Sequence, residues 1–299
     1  MEPVVRNFAS KTFGVAAAAA LAAPLLLSAQ AAGPPPRTDA PPLEAYKIIL
    51  VGDSTTAPHS GWGGAFCAHH VKWRIACLNL ARGARSTRSY RSEGAWDLAL
   101  GEMKAPGYKE VFVLIQMGHN DQARHKPERW TEETTEYPDN LRRFVKEARA
   151  AGAVPVLLTP LVRREFRDGT LDNTLAPWSE QVRKVARELK VPLIDLNARS
   201  AQAVQQLGPV AAMDLAQLPP GAAETAAGAK GTTLPAPASP AAAADDSRER
   251  GGRKQGARGR ITLKFDYTHV GPKGAELFAG IVAEDLAVAV PELAALIIR

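Results

Sequence analysis

Cysteine is almost missing from this chain: among 299 residues only Cys67 and Cys77 carry a thiol. Neither stands in metal-ligand spacing, and His59, His69, His70 and His125 have no carboxylates at ligand-like intervals. No catalytic metal or other cofactor is therefore expected. Long apolar runs are scarce too. The uncharged stretch Phe13 to Leu27 is too short and too alanine-rich to read as a membrane span. A surplus of one charge is also lacking. The formal net charge is +6, but residues 1–31 hold +1 of it and residues 221–260 hold +3, which leaves +2 on everything else. A surface so near balance argues against nucleic acid as a partner.

The segments that carry that excess charge have their own meaning. Arg6 and Lys11, the Ala- and Leu-rich run after them and Ala29-Gln30-Ala31 have the order of a secretory signal over residues 1–31. Export to the periplasm or medium is expected, with no stable membrane insertion after cleavage; an uncleaved anchor is the alternative. Residues 32–45, with five prolines, read as an extended tether. Outside the cytoplasm Cys67 and Cys77 can form a disulfide, and two free buried thiols are the other possibility. The oligomeric state is not legible.

From residue 46 to 290 the chain has the rhythm of a folded domain. Ile48 to Val51 is an apolar run of strand length that stops at Gly52-Asp53-Ser54, and Gly61-Trp-Gly-Gly64 opens the next element. Further strands are predicted at Arg74 to Leu80, Glu110 to Met117, Val154 to Leu158 and Val191 to Ile194. Pro155 is acceptable only near a strand's start or at an edge. Tyr137, Leu141, Phe144, Val145 and Ala148 recur with helical spacing, as do Trp178, Val182, Val185, Ala186 and Leu189. Gly152 suits the end of the first of these helices. A last helix starts near Pro272, buries Leu277, Phe278, Ile281, Val282 and Leu286, and stops before Pro291. Continuous apolar strands alternating with helices predict an α/β fold with a parallel, doubly wound sheet. Residues 208–260, rich in Ala, Pro and Gly and then in Arg, Gly and Lys, read as a disordered insertion, solvated rather than bound to an acidic polymer. Trp62 and Trp73 are expected in the core rather than as a sugar platform.

The polar residues cluster at strand ends. Ser54 follows the first strand, Gly83-Ala84 the second and Asn120 the third, while Asp266-Tyr-Thr-His269 precedes the last helix. In a parallel sheet these positions share the carboxyl edge, where open α/β sheets hold their sites. That edge then offers a hydroxyl, an imidazole, a carboxylate three residues away, an amide side chain and backbone N–H groups. Acyl transfer needs this inventory. The bland readings are a helix cap for Ser54, a turn residue for Asn120 and a surface or capping residue for His269.

Gly52-Asp53-Ser54, the Gly83 to Tyr90 run, Gly118-His119-Asn120-Asp121 and Asp266-Tyr-Thr-His269 resemble, in order, the sequence blocks of SGNH (GDSL-type) hydrolases. The Arg85 to Ser89 run and His119 before Asn120 look most like rhamnogalacturonan acetylesterases. The resemblance implies a three-layer, flavodoxin-like fold and a metal-free triad of Ser54, His269 and Asp266. It also implies hydrolysis of O-acetyl groups on an acetylated pectic polysaccharide or oligosaccharide. The oxyanion donors would be the N–H of Ser54, that of Ala84 (or Gly83 after a one-residue shift) and the Asn120 amide. Close members of the family carry glycine where Ala84 stands, and a positive φ there would be costly for alanine. His119 either serves the site or packs. Arg85 and Arg88 more naturally tie their loop down than bind an acidic sugar, although Arg85 is kept as a weak substrate-binding candidate with His119. Two rival functions stay open: a lipid or thioester acyl hydrolase, and a non-catalytic carbohydrate-binding protein on the same fold.

Overall fold

A computed structural model of the protein describes residues 44–235 and 264–299. The signal segment, nearly all of the tether and residues 236–260 lie outside the described residues. Five parallel strands form the main sheet: β1 (Tyr46–Gly52), β2 (Ile75–Asn79), β3 (Glu110–Gln116), β4 (Val154–Leu158) and β7 (Leu193–Ile194). Their order is β2-β1-β3-β4-β7, so the chain reverses direction across the sheet between β1 and β3. A two-stranded antiparallel hairpin, β5 (Phe166–Arg167) with β6 (Thr170–Leu171), stands apart from it.

Alternation along the strands feeds two separate cores. Ile48 and Leu50 of β1 pack with Phe112, Leu114 and Leu158 against α1 (Gly63–His69), α6 (Leu196–Ala211) and α8 (Pro272–Ala289). Ile49 and Val51 point the other way, with Val113, Ile115 and Leu157, toward α2 (Thr87–Ser92), α3 (Ala95–Met103), α4 (Glu136–Ala150) and α5 (Ala176–Leu189). Strands covered on both faces must be apolar throughout, which is why they read as unbroken hydrophobic runs. The two patterned helices are α4 and α5, with the anticipated residues buried except Leu189, which is half-buried. Gly152 follows α4 with φ +84, and Pro155 is the second residue of β4. Helix α8 runs from Pro272 as expected, with Leu277 half-buried.

The cysteines are bonded: Cys67 on α1 and Cys77 on β2 form a disulfide with Cα atoms 5.4 Å apart. A bridge across a separation of ten residues restrains the unfolded chain, so a Cys67→Ser/Cys77→Ser protein should lose about 2–3 kcal/mol of stability. In a chain of this length that lowers Tm by about 5–10 °C, readable by calorimetry.

Two expectations are corrected here. The low-complexity stretch is ordered as far as Pro235: it contains the end of α6, a 3-10 turn at Ala212–Leu215 and a short helix, α7 (Ala222–Ala229). Alanine is a strong helix former, and a few anchors suffice. Met213 and Leu215 are buried, Ala216 pairs with Val270, and Thr233 Oγ1 accepts from the Phe166 N–H at 2.9 Å. Trp62 is fully buried as anticipated, but Trp73 is 78% exposed. It sits in the turn entering β2, at the sheet end opposite the site.

Candidate active site

The site lies at the carboxyl ends of β1 and β3, on either side of the reversal in strand order. Ser54 follows β1 in a tight loop rather than on a helix, since α1 begins only at Gly63. Hydrogen bonds in series lock that loop. The Trp62 indole donates to Gln116 Oε1 (2.6 Å), Gln116 Nε2 to Thr55 Oγ1 (2.6 Å), and Thr55 Oγ1 and N–H to Asp53 Oδ1 (both 2.8 Å). Close packing holds it too: a Cβ on Gly61 would stand 2.0 Å from the Thr55 carbonyl. Beyond the loop, Ser60 Oγ donates to the Ser54 carbonyl and the Val270 N–H to that of Ser60, joining the Ser54 loop to the chain just after His269.

Residues 215 positions apart meet here. Ser54 Oγ is 2.9 Å from His269 Nε2, and His269 Nδ1 is 2.8 Å from Asp266 Oδ2. The other Asp266 oxygen accepts the N–H groups of Thr268 (2.8 Å) and His269 (2.7 Å), a tight turn that fixes the carboxylate under the ring. Burial opposes the charge on Asp266, but the His269 hydrogen bond and these two amides outweigh it and hold its carboxyl below the usual range. All three side chains are half-buried.

The anticipated oxyanion donors have these surroundings. Among the described residues, neither the Ser54 nor the Ala84 N–H donates to a backbone carbonyl. Asn120 Nδ2 spends one hydrogen on the Arg85 carbonyl (3.1 Å), which orients the amide and leaves its second hydrogen. Asp121, fully buried, ties this block to the loop after β2: its carboxylate accepts from the Thr87 N–H and hydroxyl and from the Thr131 hydroxyl. Burial pushes the Asp121 carboxyl up to about 7 against those hydrogen bonds.

Residues 50–275 match the family described as GDSL-like Lipase/Acylhydrolase. The chain belongs to that family. Among its relatives is the probable rhamnogalacturonan acetylesterase YesY of Bacillus subtilis, 34% identical over 162 residues that cover 52% of this chain and 72% of YesY. Another is the rhamnogalacturonan acetylesterase RhgT of the same organism, 35% identical over 171 residues covering 54% and 70%. The crystal structure of protein YxiM from Bacillus subtilis shares the fold at TM-score 0.55 and 20% identity, over 83% of this chain and 57% of that one.

Within this GDSL-like site the suspect position is strained. Ala84 has φ +65, the left-handed region that alanine enters at a cost of about 1–2 kcal/mol. Ala84→Gly should therefore raise stability by about 0.5–1 kcal/mol, the relief being partly offset by glycine's greater freedom when unfolded. Thermal unfolding of the variant against wild type measures it, and a lower Tm would mean the strain is not there.

The remaining candidates divide. Arg85 is buried, with Nε on Glu93 Oε2 and Nη1 on the Gly83 carbonyl, both at 2.8 Å, so it braces the loop that it belongs to. Arg88 does the same through Glu136 and the Pro127 carbonyl. His119 is buried with Nδ1 3.4 Å from Asp53 Oδ2, and its Nε2 has no hydrogen-bond partner among the described residues. Burial holds the His119 imidazole below its usual range, with Asp53 opposing.

Two residues escaped the sequence reading. Arg164 is fully buried, and its guanidinium donates to the carbonyls of Asp266 (3.1 Å), Thr268 (3.4 Å) and His269 (2.8 Å) while its N–H reaches that of Tyr267. Burial pulls the guanidinium down to about 10, with Asp266 opposing. One side chain thus grips the whole turn that carries His269. The half-buried Arg163 beside it points to Gln122, Thr174 and the His119 carbonyl. Charge at the end of a strand was the signal available for both, but Arg163-Arg164 reads in sequence as an ordinary solvated pair.

Proposed function

We propose that the protein is an exported serine esterase that removes O-acetyl groups from a polysaccharide, with pectic rhamnogalacturonan as the leading substrate. The Ser54–His269–Asp266 series carries the reading. Ser54 Oγ attacks the acetyl carbonyl carbon as His269 Nε2 takes its proton, and Asp266 holds the ring by Nδ1–H so that Nε2 is the free base. The N–H groups of Ser54 and Ala84 and the second Asn120 amide hydrogen receive the oxyanion. The tetrahedral adduct then expels the sugar hydroxyl, protonated by His269, and leaves acetyl on Ser54. Water, deprotonated by the same ring, releases acetate and restores the serine. Membership of an acylhydrolase family and the rhamnogalacturonan acetylesterase relatives support the acetyl and carbohydrate parts. The order of residues 1–31 supports export.

The deciding measurement is acetate release from acetylated rhamnogalacturonan, acetylated xylan and acetylated homogalacturonan, beside p-nitrophenyl esters of rising chain length. The expected result is an acetyl optimum, with the pectic backbone the best polymer. Rates that climb from acetyl to octanoyl would assign a lipid or thioester substrate to the same machinery.

A further inference from the structure

Several arginines of the fold are spent on carboxylates, while the fully buried Arg164 is spent on the carbonyls of the turn that carries His269. Arg85 meets Glu93, Arg88 meets Glu136, Arg91 meets Glu147 and Arg183 meets Asp195. Arg163 is different. Its Nη1 donates to two neutral oxygens, Gln122 Oε1 (2.8 Å) and Thr174 Oγ1 (3.0 Å), and Nη2 lies 3.5 Å from the His119 carbonyl. Glu165, Asp53 and Asp266 act on it through their fields, and burial lowers its pKa, yet among the described residues no carboxylate forms an ion pair with it. A half-buried guanidinium is expensive to leave without a counter-charge. Its place makes that absence informative. It touches the residue before Asn120, and its neighbour Arg164 holds the turn that carries His269. It thus stands between two of the segments that frame Ser54.

We propose that Arg163 is the anion-recognition residue of the substrate site and binds the carboxylate of a uronic acid unit next to the acetylated sugar. This rests on the esterase reading above and deepens it: the substrate would be an acidic polysaccharide, recognised as such by one residue that the neutral contacts of Gln122 and Thr174 hold in place. Guanidinium suits the task because its planar fork matches a carboxylate and its charge survives at any working pH. Arg85, the arginine that sequence alone brings forward, cannot do this, since it is buried against Glu93.

The test compares two substrates that differ only in charge: acetylated uronate-containing oligosaccharides with free carboxylates, and the same oligosaccharides with those carboxylates methyl-esterified. Wild type should favour the free acids by about tenfold or more in kcat/KM, mainly through KM, and the preference should shrink as salt rises. Arg163→Gln should bring the ratio close to one, while Arg163→Lys keeps part of it. Using a ratio within each protein separates recognition from any general loss of activity. Equal wild-type rates on both substrates would overturn the role of Arg163 and leave the carbohydrate esterase reading standing, as would an undiminished ratio in Arg163→Gln. Hydrolysis of p-nitrophenyl acetate with no acetate from either oligosaccharide would overturn both.

Discussion

Ser54→Ala should lower p-nitrophenyl acetate turnover by about 10⁴-fold or more, to the background that the remaining donors and binding contacts supply. The reason is serial dependence. In the mechanism proposed above, His269 Nε2, 2.9 Å from Ser54 Oγ, takes the serine's proton while Asp266 orients the ring, so without the hydroxyl there is no nucleophile for them to activate. Stability should scarcely change. Ser54 is half-buried, and its Oγ takes part in only that hydrogen bond among the described residues, while the loop is held by Asp53, Thr55, Gln116 and Trp62. A loss of about 1 kcal/mol shifts Tm by no more than about 4 °C. A fluorophosphonate probe should label wild type and not the variant. Turnover retained in Ser54→Ala would take the serine out of the mechanism; an unlabelled wild type that still binds sugar would point to the non-catalytic alternative.

Arg164→Ala should be nearly as damaging for a different reason. The guanidinium satisfies three partly buried carbonyls on the turn from Asp266 to His269, and its loss leaves them without that donor. Orphaned buried carbonyls cost about 1–3 kcal/mol each where water cannot reach them. A total near 3–5 kcal/mol is expected, consistent with losses on breaking buried charged networks. The same loss frees the His269 ring to drift from Ser54, and misplacement of about 1 Å costs on the order of 10²-fold in rate. Arg164 is thus a positioning residue. Measured well below the lowered Tm, kcat should fall by about 10²-fold while KM for p-nitrophenyl acetate moves little. Added guanidinium ion should restore part of kcat. Arg164→Lys should rescue poorly, because one ammonium cannot span three carbonyls as a planar fork does. A variant that loses stability but keeps kcat would reduce Arg164 to a purely structural role.

These two experiments probe residues of unequal legibility. Ser54, Asn120, Asp266 and His269 were each found in the sequence because every one sits next to a local signal: a strand end, a glycine or the start of a helix. Arg164 had no such signal. A fully buried arginine is rare, and its role depends on where a turn 102 residues away comes to rest. Arg163 likewise acquires meaning only from the carboxylates it does not meet.

The same division runs through the fold. The strand and helix order, the two-sided burial of β1, β3 and β4 and the amphipathic faces of α4 and α5 follow from local periodicity, which any short window of chain contains. The sign of φ at Ala84, the choice between disulfide and free thiols at Cys67 and Cys77, the exposure of Trp73 and the ordering of residues 208–235 follow from what packs beside each of them. Alanine tolerates many backbone states, a cysteine pair bonds only if its Cα atoms come close, and an alanine-rich segment orders only if something offers it anchors. Sequence alone determined which chemistry the carboxyl edge of the sheet could hold. Only tertiary structure decided which groups reach one another, because distances between residues remote in the chain are set by packing of the intervening elements.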